Sequence, residues 1–295
     1  MKIGFIGLGA MGRPMAERLL GADYELVVFD VRPEGIAALA EKGATPGSSP
    51  RNVAEQTEVT LTSLPNAAIV TSAMRGDEGV FAGAGAGHLV IDLSTVDPGS
   101  TRKLAEEGAR IGISYMDAPV SGGVRGAAEG TLTIMVGGSD QAFQLVEPIL
   151  KILGKKIYHV GKVGSGNSMK IINNMLLGAN MASLAEALVL GMRIGLTPQS
   201  MFDIISQSSG SSYVLKAKMP DFIMKGDFAP GFMLDLQYKD LNLAISTAGE
   251  VNMPLPMTSL ATQFFETARA RGYGSEDVSS VIKIWEELMV TKVRG

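Results

Sequence analysis

A glycine-rich turn near the start of the chain constrains its fold more than any other feature. The segment GLGAMG sets Gly7, Gly9 and Gly12 in G-x-G-x-x-G spacing, after the apolar run KIGFI and before a helix-like run. In this spacing the first glycine permits a tight turn, and the second lets the backbone approach a pyrophosphate. The third lets the following helix pack closely on the preceding strand. A helix N-terminus attracts phosphate. The turn therefore predicts a dinucleotide site. The other turn residues expected to line it are Leu8, Ala10 and Met11.

An acidic residue at the end of the second predicted strand bears on the choice of cofactor. Asp30 ends the run ELVVFD, where a carboxylate can hold the ribose hydroxyls of NAD and repel the 2′-phosphate of NADP. Arg32 lies two residues later and could receive that phosphate instead. The sequence thus favours NAD and leaves NADP open.

Strand-like and helix-like runs alternate through the first half of the chain. This alternation predicts an α/β fold, a Rossmann-type doubly wound and mainly parallel sheet with helices on both faces. The predicted strands are KIGFIG, ELVVFD, EVTLTSL, LVIDLS, SYMDAPV and LTIMVGG, with IYHV as a possible edge strand. The predicted helices are MGRPMAERLLG, PEGIAALAEKG, GSTRKLAEEGARIG and DQAFQLVEPILKIL.

The pattern changes near residue 164, after which every periodic run is typical of a helix. The first of these runs is long and apolar, and we expect one helix over about 166–195. We therefore predict a dinucleotide-binding domain over 1–163 and an all-α domain over 164–295 for substrate binding and oligomerisation. The long helix joins the two domains.

Composition excludes several classes of function. The chain has no cysteine, which rules out disulfides, thiol nucleophiles and zinc–thiolate sites. Its net charge of −4 gives no basis for binding nucleic acid or anionic membrane. The two histidines have no partners in metal-ligand spacing, so no metal site is predicted. The N-terminus lacks the features of a signal peptide, and no uninterrupted apolar run is long enough for a membrane span, so we expect a cytoplasmic protein.

Polar segments follow two more predicted strands. SLPNA and DLSTVDPGS lie at carboxyl ends of strands, where ligands bind in open α/β sheets. The residues placed to line the cofactor are Leu64, Pro65, Asn66, Ser94 and Thr95. For Thr95 a turn and helix cap is an equally good interpretation.

The glycine-rich segment DAPVSGGVRG offers backbone N–H groups with no side chain to block approach. Ser121, Gly122 and Gly123 could bind a carboxylate or alkoxide there, although an ordinary loop explains the same composition. Arg125 is either a solvated charge, which we favour, or a clamp for a second substrate carboxylate.

A lysine lies near the start of the long apolar helix. Lys170 and Asn174, four residues apart, project from one face of that helix. The positive end of the helix dipole disfavours a second positive charge there, which suits a lysine that exchanges protons. A surface lysine with a buried stem is the competing interpretation. Lys239, followed by Asp240, is by its spacing a surface ion pair.

Four motifs, in order over nearly the whole chain, resemble those of the β-hydroxyacid dehydrogenases. This family includes enzymes for 3-hydroxyisobutyrate, tartronate semialdehyde and 6-phosphogluconate. GFIGLGAMGRPMA resembles its cofactor signature, DAPVSGG its substrate-binding segment, GSGNSMKIINN its catalytic segment and YKDLNLA its C-terminal segment. Within the family, SLPNA, NMASLAEALVLG and GDFAPGFMLDLQYKDL are most similar to an enzyme that acts on 2-(hydroxymethyl)glutarate.

The resemblance implies an NAD(P)-dependent oxidoreductase that transfers hydride between nicotinamide and a small 3-hydroxy carboxylic acid. Lys170 would be the general acid and base, Asn174 would orient the substrate, and Ser121 to Gly123 would bind its carboxylate. Thr95 and Lys239 would contact the cofactor near the nicotinamide. The implied substrates are 2-(hydroxymethyl)glutarate-like acids, or tartronate or succinic semialdehyde, and the implied assembly is a homodimer or homotetramer.

One departure and two alternatives remain. Tyr213 stands where some hydroxyisobutyrate enzymes have tryptophan, which leaves the size of the substrate open. An imine reductase on the same scaffold often lacks a lysine at the catalytic position, so Lys170 disfavours it. A non-catalytic NAD-binding sensor would need the glycine turn but not the later motifs.

Overall fold

The strand-like runs of the first half form one nine-stranded sheet in a computed structural model that describes residues 1–295. The strands are β1 (Lys2–Ile6), β2 (Glu25–Phe29), β3 (Thr45–Pro46), β4 (Val59–Thr62), β5 (Leu89–Asp92), β6 (Ser114–Asp117), β7 (Val120–Ser121), β8 (Leu132–Gly137) and β9 (Gly154–Gly161). Their order is β3-β2-β1-β4-β5-β6-β8-β7, and β9 pairs with β8. Strands β1 to β6 pair in parallel, whereas β8 runs antiparallel to β6 and β7. The predicted mainly parallel sheet is confirmed.

Two compact units divide the chain, Met1–Lys170 and Ile171–Gly295. The first contains the sheet and eight complete helices. These are α1 (Gly12–Leu20), α2 (Pro33–Ala40), α3 (Pro50–Glu55), α4 (Ala67–Met74), α5 (Val80–Gly83), α6 (Pro98–Arg110), α7 (Gly123–Glu129) and α8 (Asp140–Leu153). The sequence interpretation missed α3, α4, α5 and α7, which have between four and eight residues each.

Alternate residues of the strands face two separate cores, which explains helices on both faces. In β2, Leu26 and Val28 belong to one buried cluster and Val27 to the other. The first cluster includes Met15 of α1, and the second includes Leu104 of α6. Strands buried on both faces have continuous apolar sequences, as observed here.

SYMDAPV, predicted as one strand, forms two short ones. Strand β6 ends at Asp117, and β7 begins at Val120 and pairs with β8 rather than β6. Pro119 between them has no N–H to donate to a ladder, which is the physical reason for the break.

The second unit is all-α, as predicted. Its helices are the greater part of α9 (Ser165–Arg193), with α10 (Pro198–Ile205), α11 (Tyr213–Lys218), α12 (Leu234–Glu250), α13 (Pro256–Ala270) and α14 (Ile282–Leu288). A π-helical turn spans Met219–Ile223 and a 3-10 turn spans Val278–Val281. Leu188, Leu215, Leu241, Phe265 and Ile282 lie in its single buried core.

Helix α9 is the longest element and begins in the first unit. By length and composition alone it could cross a membrane, but 44% of its most apolar window is buried in the protein. A helix that is apolar on most sides and buried to this extent is also found in the core of a globular protein.

Candidate functional site

The glycine turn after β1 has the geometry that its spacing predicts. Gly7 has φ +94°, and a Cβ there would lie 2.3 Å from the carbonyl oxygen of Ser63. A Cβ on Gly12 would lie 1.8 Å from the carbonyl oxygen of Gly7, so only glycine lets α1 approach β1. Around Gly9 the nearest group to such a Cβ is the Arg32 guanidinium at 3.3 Å. The first and third glycines are therefore required by the packing of the turn and of α1. The second leaves the backbone accessible to a ligand.

The N-terminus of α1 opens onto a cleft. No side chain caps this helix, and the Arg13 N–H donates to the Gly9 carbonyl oxygen at 3.1 Å. The cleft has a volume of about 550 Å³, and its lining includes Leu8, Gly9, Ala10, Arg13, Asp30 and Arg32. An open backbone cradle at an uncapped helix N-terminus fits a pyrophosphate, so these residues suit the predicted dinucleotide.

Asp30 holds the turn as well as facing the cleft. Its carboxylate accepts hydrogen bonds from the backbone N–H groups of Leu8 at 2.6 Å and Arg32 at 2.8 Å. The Arg32 side chain is two-thirds exposed, with Nε 3.5 Å from the carboxylate. Each carboxylate oxygen has a further lone pair, so Asp30 can still accept from ribose hydroxyls.

The loops after β4 and β5 are tied to one another. The Leu64 N–H donates to Ser94 Oγ at 2.8 Å, and the Ser94 N–H donates to Asp92 at 3.0 Å. Asn66 is exposed and caps α4 by accepting from the Ile69 N–H at 3.0 Å. Pro65 is exposed and Thr95 half-buried in the same two loops.

A buried carboxylate supports these loops. Asp92 is fully buried and accepts hydrogen bonds from Thr62 Oγ1 at 2.8 Å and the Tyr115 hydroxyl at 3.0 Å. Burial raises the pKa of Asp92, although its hydrogen bonds oppose the shift. Sequence reasoning missed this residue, which was visible only as the acid ending the run LVID.

The glycine-rich segment after β7 is a short helix rather than a loop. Gly122 has φ +137° and Gly123 has φ +64°, and α7 starts at Gly123. Arg125 lies on this helix with its side chain 88% exposed and its Nε 2.7 Å from Glu129 Oε1. This surface ion pair supports the solvated interpretation of Arg125 over a substrate clamp.

Lys170 is not a surface lysine, because only 6% of it is exposed. The start of its helix is held by Asp117, whose carboxylate oxygens accept from the N–H groups of Gly164 and Asn167, each at 2.7 Å. Burial raises the pKa of Asp117 to about 6 against these hydrogen bonds, and the nearby Asp92 adds to the shift. The sequence interpretation quoted Asp117 in DAPVSGG but gave it no role.

In the second unit, Asn174 and Lys239 meet at one buried carboxylate. Asn174 Nδ2 donates to Asp240 Oδ2 at 2.5 Å, and Lys239 Nζ lies 3.2 Å from Asp240 Oδ1. Gln237 Nε2 donates to the Asn174 carbonyl oxygen at 2.8 Å. Because Asp240 is 2% exposed, the ion pair is not the surface pair that its spacing suggested.

The two histidines have structural surroundings. His88 is buried, with Nε2 2.9 Å from Thr60 Oγ1, and burial lowers the pKa of its ring. His159 stacks on Phe143 and contacts the Gly138 carbonyl oxygen. No group of three histidine or carboxylate side chains is arranged to hold a metal ion.

Both halves of the chain match known sequence families. Residues 2–161 match the NAD binding domain of 6-phosphogluconate dehydrogenase. Residues 164–285 match the family described as NAD-binding of NADP-dependent 3-hydroxyisobutyrate dehydrogenase.

Three relatives cover nearly the full chain. A 2-(hydroxymethyl)glutarate dehydrogenase from Eubacterium barkeri is 53% identical over 100% of this chain and 98% of its own length. An L-threonate dehydrogenase from Cupriavidus necator is 39% identical over 96% of this chain and 95% of its own. The structure of 3-hydroxyisobutyrate dehydrogenase from Mycobacterium tuberculosis with L-serine matches with a TM-score of 0.90, 33% identity and coverage of 96% and 98%.

Proposed function

Since the chain belongs to the β-hydroxyacid dehydrogenases related to 3-hydroxyisobutyrate dehydrogenase, we propose that it interconverts a 2-(hydroxymethyl)glutarate-like acid and its aldehyde. It is an NAD(P)-dependent oxidoreductase acting on CH–OH groups, as the motifs predicted. The full-length identity of 53% to an enzyme named for that substrate carries the choice among family substrates.

Lys170 is the proposed general acid and base. The bound nicotinamide supplies or receives the hydride, and the protein must move one proton at the substrate oxygen. Lys170 is the buried ammonium at the start of α9, and it donates to the carbonyl oxygen in reduction or accepts from the hydroxyl in oxidation. The main support for this role is the burial of Lys170. Burying an ammonium group costs free energy, so a buried lysine is more often functional than an exposed one.

The remaining predicted residues position the substrate and the cofactor. We assign the substrate carboxylate to the turn at Ser121, Gly122 and Gly123, where α7 begins. Asn174 orients the substrate, held by its hydrogen bond to Asp240. Thr95 and Lys239 contact the cofactor near the nicotinamide.

A substrate panel tests the proposal. Purified protein is assayed with NADH against 2-formylglutarate, tartronate semialdehyde, succinic semialdehyde, methylmalonate semialdehyde and glyoxylate. The highest kcat/KM is expected for 2-formylglutarate. A best turnover on the small semialdehydes would contradict the dicarboxylic substrate. Cofactor binding without turnover on any aldehyde would contradict catalysis and favour a sensor, and turnover on cyclic imines alone would favour an imine reductase.

NAD is the preferred cofactor in this proposal, because Asp30 presents a carboxylate where NADP has a phosphate. Arg32 is the opposing influence, since its guanidinium lies near Gly9 at the edge of the same cleft. Asp30→Ala should therefore raise the ratio of NADPH to NADH turnover, and Arg32→Ala should lower it. Initial rates with each cofactor measure both ratios, and unchanged ratios would contradict the assignment.

A homo-oligomer is also proposed, supported by an apolar stripe on α9. Ile172, Leu176 and Leu190 are each more than half exposed on this helix, and so is Ile194, which directly follows it. Large exposed apolar patches mark protein interfaces. Leu176→Glu should reduce the mass measured by light scattering, whereas Leu145→Glu on α8, at a more exposed position, should not. A parent chain that is monomeric at all concentrations would contradict the proposal.

A cytoplasmic location remains a prediction, which cell fractionation would test.

A further inference from the structure

The first turn of α9 is held by an anion from inside the protein. Asp117, at the end of β6, is completely buried. Its Oδ1 accepts the Gly164 N–H and its Oδ2 accepts the Asn167 N–H, each at 2.7 Å. A carboxylate at a helix N-terminus satisfies N–H groups that lack intrahelical partners and interacts favourably with the helix dipole.

The surrounding backbone is shaped to admit this carboxylate. A Cβ on Gly137 would lie 2.4 Å from Asp117 Oδ1, and a Cβ on Gly166 would lie 2.9 Å from Oδ2. A Cβ on Gly166 would also lie 2.2 Å from the carbonyl oxygen of Met135. Two glycines from two different elements therefore make room for one side chain, which lets the first turn of α9 lie close to the sheet.

The same turn is fixed at two further points. Asn167 Oδ1 accepts from the Val96 N–H at 3.1 Å, and its Nδ2 donates to Thr101 Oγ1 at 3.2 Å. Lys170 follows Asn167 by three residues, so it lies on the next turn of the same rigid helix. The position of the Lys170 backbone is thus set by hydrogen bonds that begin at Asp117.

We propose that Asp117 is a positioning residue for the reaction, which fixes the first turn of α9 and so places the Lys170 ammonium. This inference rests on the proposed role of Lys170. Asp117 is not a catalytic residue in this account, because it acts through the helix. Small displacements of a reacting group reduce rates strongly: a misplacement of about 1 Å can cost about 100-fold.

The charge of Asp117 matters as well as its shape. A protonated carboxyl group has one hydroxyl oxygen that accepts poorly, so one of the two N–H groups would lose its partner. Two ionisable groups that interact with Asp117 are Asp92 on the neighbouring β5 and Tyr115 on β6. Asp92 accepts its hydrogen bonds from β4, β6 and the loop after β5, and not from α9. Protonation of Asp117, rather than of Asp92, would therefore remove a hydrogen bond from the first turn of α9.

The test is Asp117→Asn, which keeps the size of the side chain and mimics its protonated form. We expect kcat to fall about 10- to 100-fold, with the Kd for NADH within about twofold of the parent. In the parent, kcat should fall below about pH 6, where Asp117 takes up its proton. This decrease is the acidic limb of the pH profile. In the variant, kcat should be low at every pH, and the acidic limb should be absent.

Asp277→Asn is the control for loss of a buried carboxylate in the second unit, where it also breaks an ion pair with Lys218. Asp277 is equally buried and accepts from the N–H groups of Gly231, Phe232 and Ser279, all in the second unit. This variant should lower Tm yet keep the acidic limb of kcat. An Asp117→Asn protein with parental kcat and a parental pH profile would show that Asp117 is only structural, and would overturn the inference.

A double variant separates the inference from the proposed function. If Asp117 acts through Lys170, Asp117→Asn should cause no further loss of rate in a Lys170→Met background, because residues that act as a unit are not additive. An equal loss in both backgrounds would overturn the inference and leave the role of Lys170 intact. Parental turnover in Lys170→Met alone would overturn the proposed function, and the inference with it.

Discussion

Two helices begin at the same sheet with their N-termini in opposite states. At α1 no side chain caps the first turn, and the backbone of Gly9 faces an open cleft. At α9 the carboxylate of Asp117 accepts two N–H groups, and Gly166 packs against it. The same dipole attracts an anion in both places.

The difference lies in where the anion comes from. The α1 turn has no side-chain anion of its own, which suits a site that must bind and release a dinucleotide. The α9 turn has its anion built in, which suits a helix that must hold a reacting lysine in one place. Glycine is needed at both N-termini. At α1, Gly9 leaves space for a ligand, whereas at α9, Gly166 leaves space for the side chain of Asp117.

The largest effect in this comparison is expected from Gly12→Ala. A Cβ there would lie 1.8 Å from a backbone oxygen, which no rotamer change can relieve. Overpacking of this kind should destabilise the first unit by about 3 kcal/mol or more. Urea denaturation measures the change, and a stability equal to the parent's would contradict the stated packing of α1 on β1.

Gly9→Ala sharpens the contrast within the same turn. Because its Cβ would meet only the mobile end of Arg32, at 3.3 Å, the free energy of unfolding should stay close to the parent's. The Kd for NADH should rise about tenfold, since a methyl group would occupy space needed by the pyrophosphate. Fluorescence titration with NADH measures the Kd, and unchanged binding would place the pyrophosphate elsewhere.

Asp117→Asn should also change the pH dependence of stability. The folded pKa of about 6 lies above the ordinary value of 3.8, so the folded protein takes up a proton before the unfolded chain does. Stability from this group is therefore fully present below about pH 4 and is lost as pH rises through about 6. The parent's Tm should rise more steeply than the variant's on acidification over this range. Parallel curves by calorimetry would contradict a buried, titrating Asp117.

The smallest effect is expected from Arg125→Ala. This side chain lies in open solvent and pairs with Glu129 one turn away, and such surface pairs contribute little. Tm should be unchanged, and so should the KM for 2-formylglutarate. A large rise in KM for the dicarboxylic aldehyde, with no change for the small semialdehydes, would instead make Arg125 a substrate clamp.

Features fixed by local chemistry were predictable from sequence, whereas those fixed by distant contacts were not. The strand, glycine turn and helix at residues 2–20 follow from neighbouring residues, as does the long apolar run of α9. Asp117 lies 47 residues before Gly164 in the chain, so no periodicity could reveal that they meet. Helices α3 and α4 were detectable only through their caps at Ser49 and Asn66.

The most direct test of the account is the rate of hydride transfer in a single turnover of Lys170→Met, followed through the absorbance of NADH with 2-formylglutarate. Methionine keeps the apolar stem in its buried site and removes the ammonium. We expect a rate about 100- to 10,000-fold below the parent's, with an unchanged Kd for NADH. A rate equal to the parent's would contradict Lys170 as the general acid.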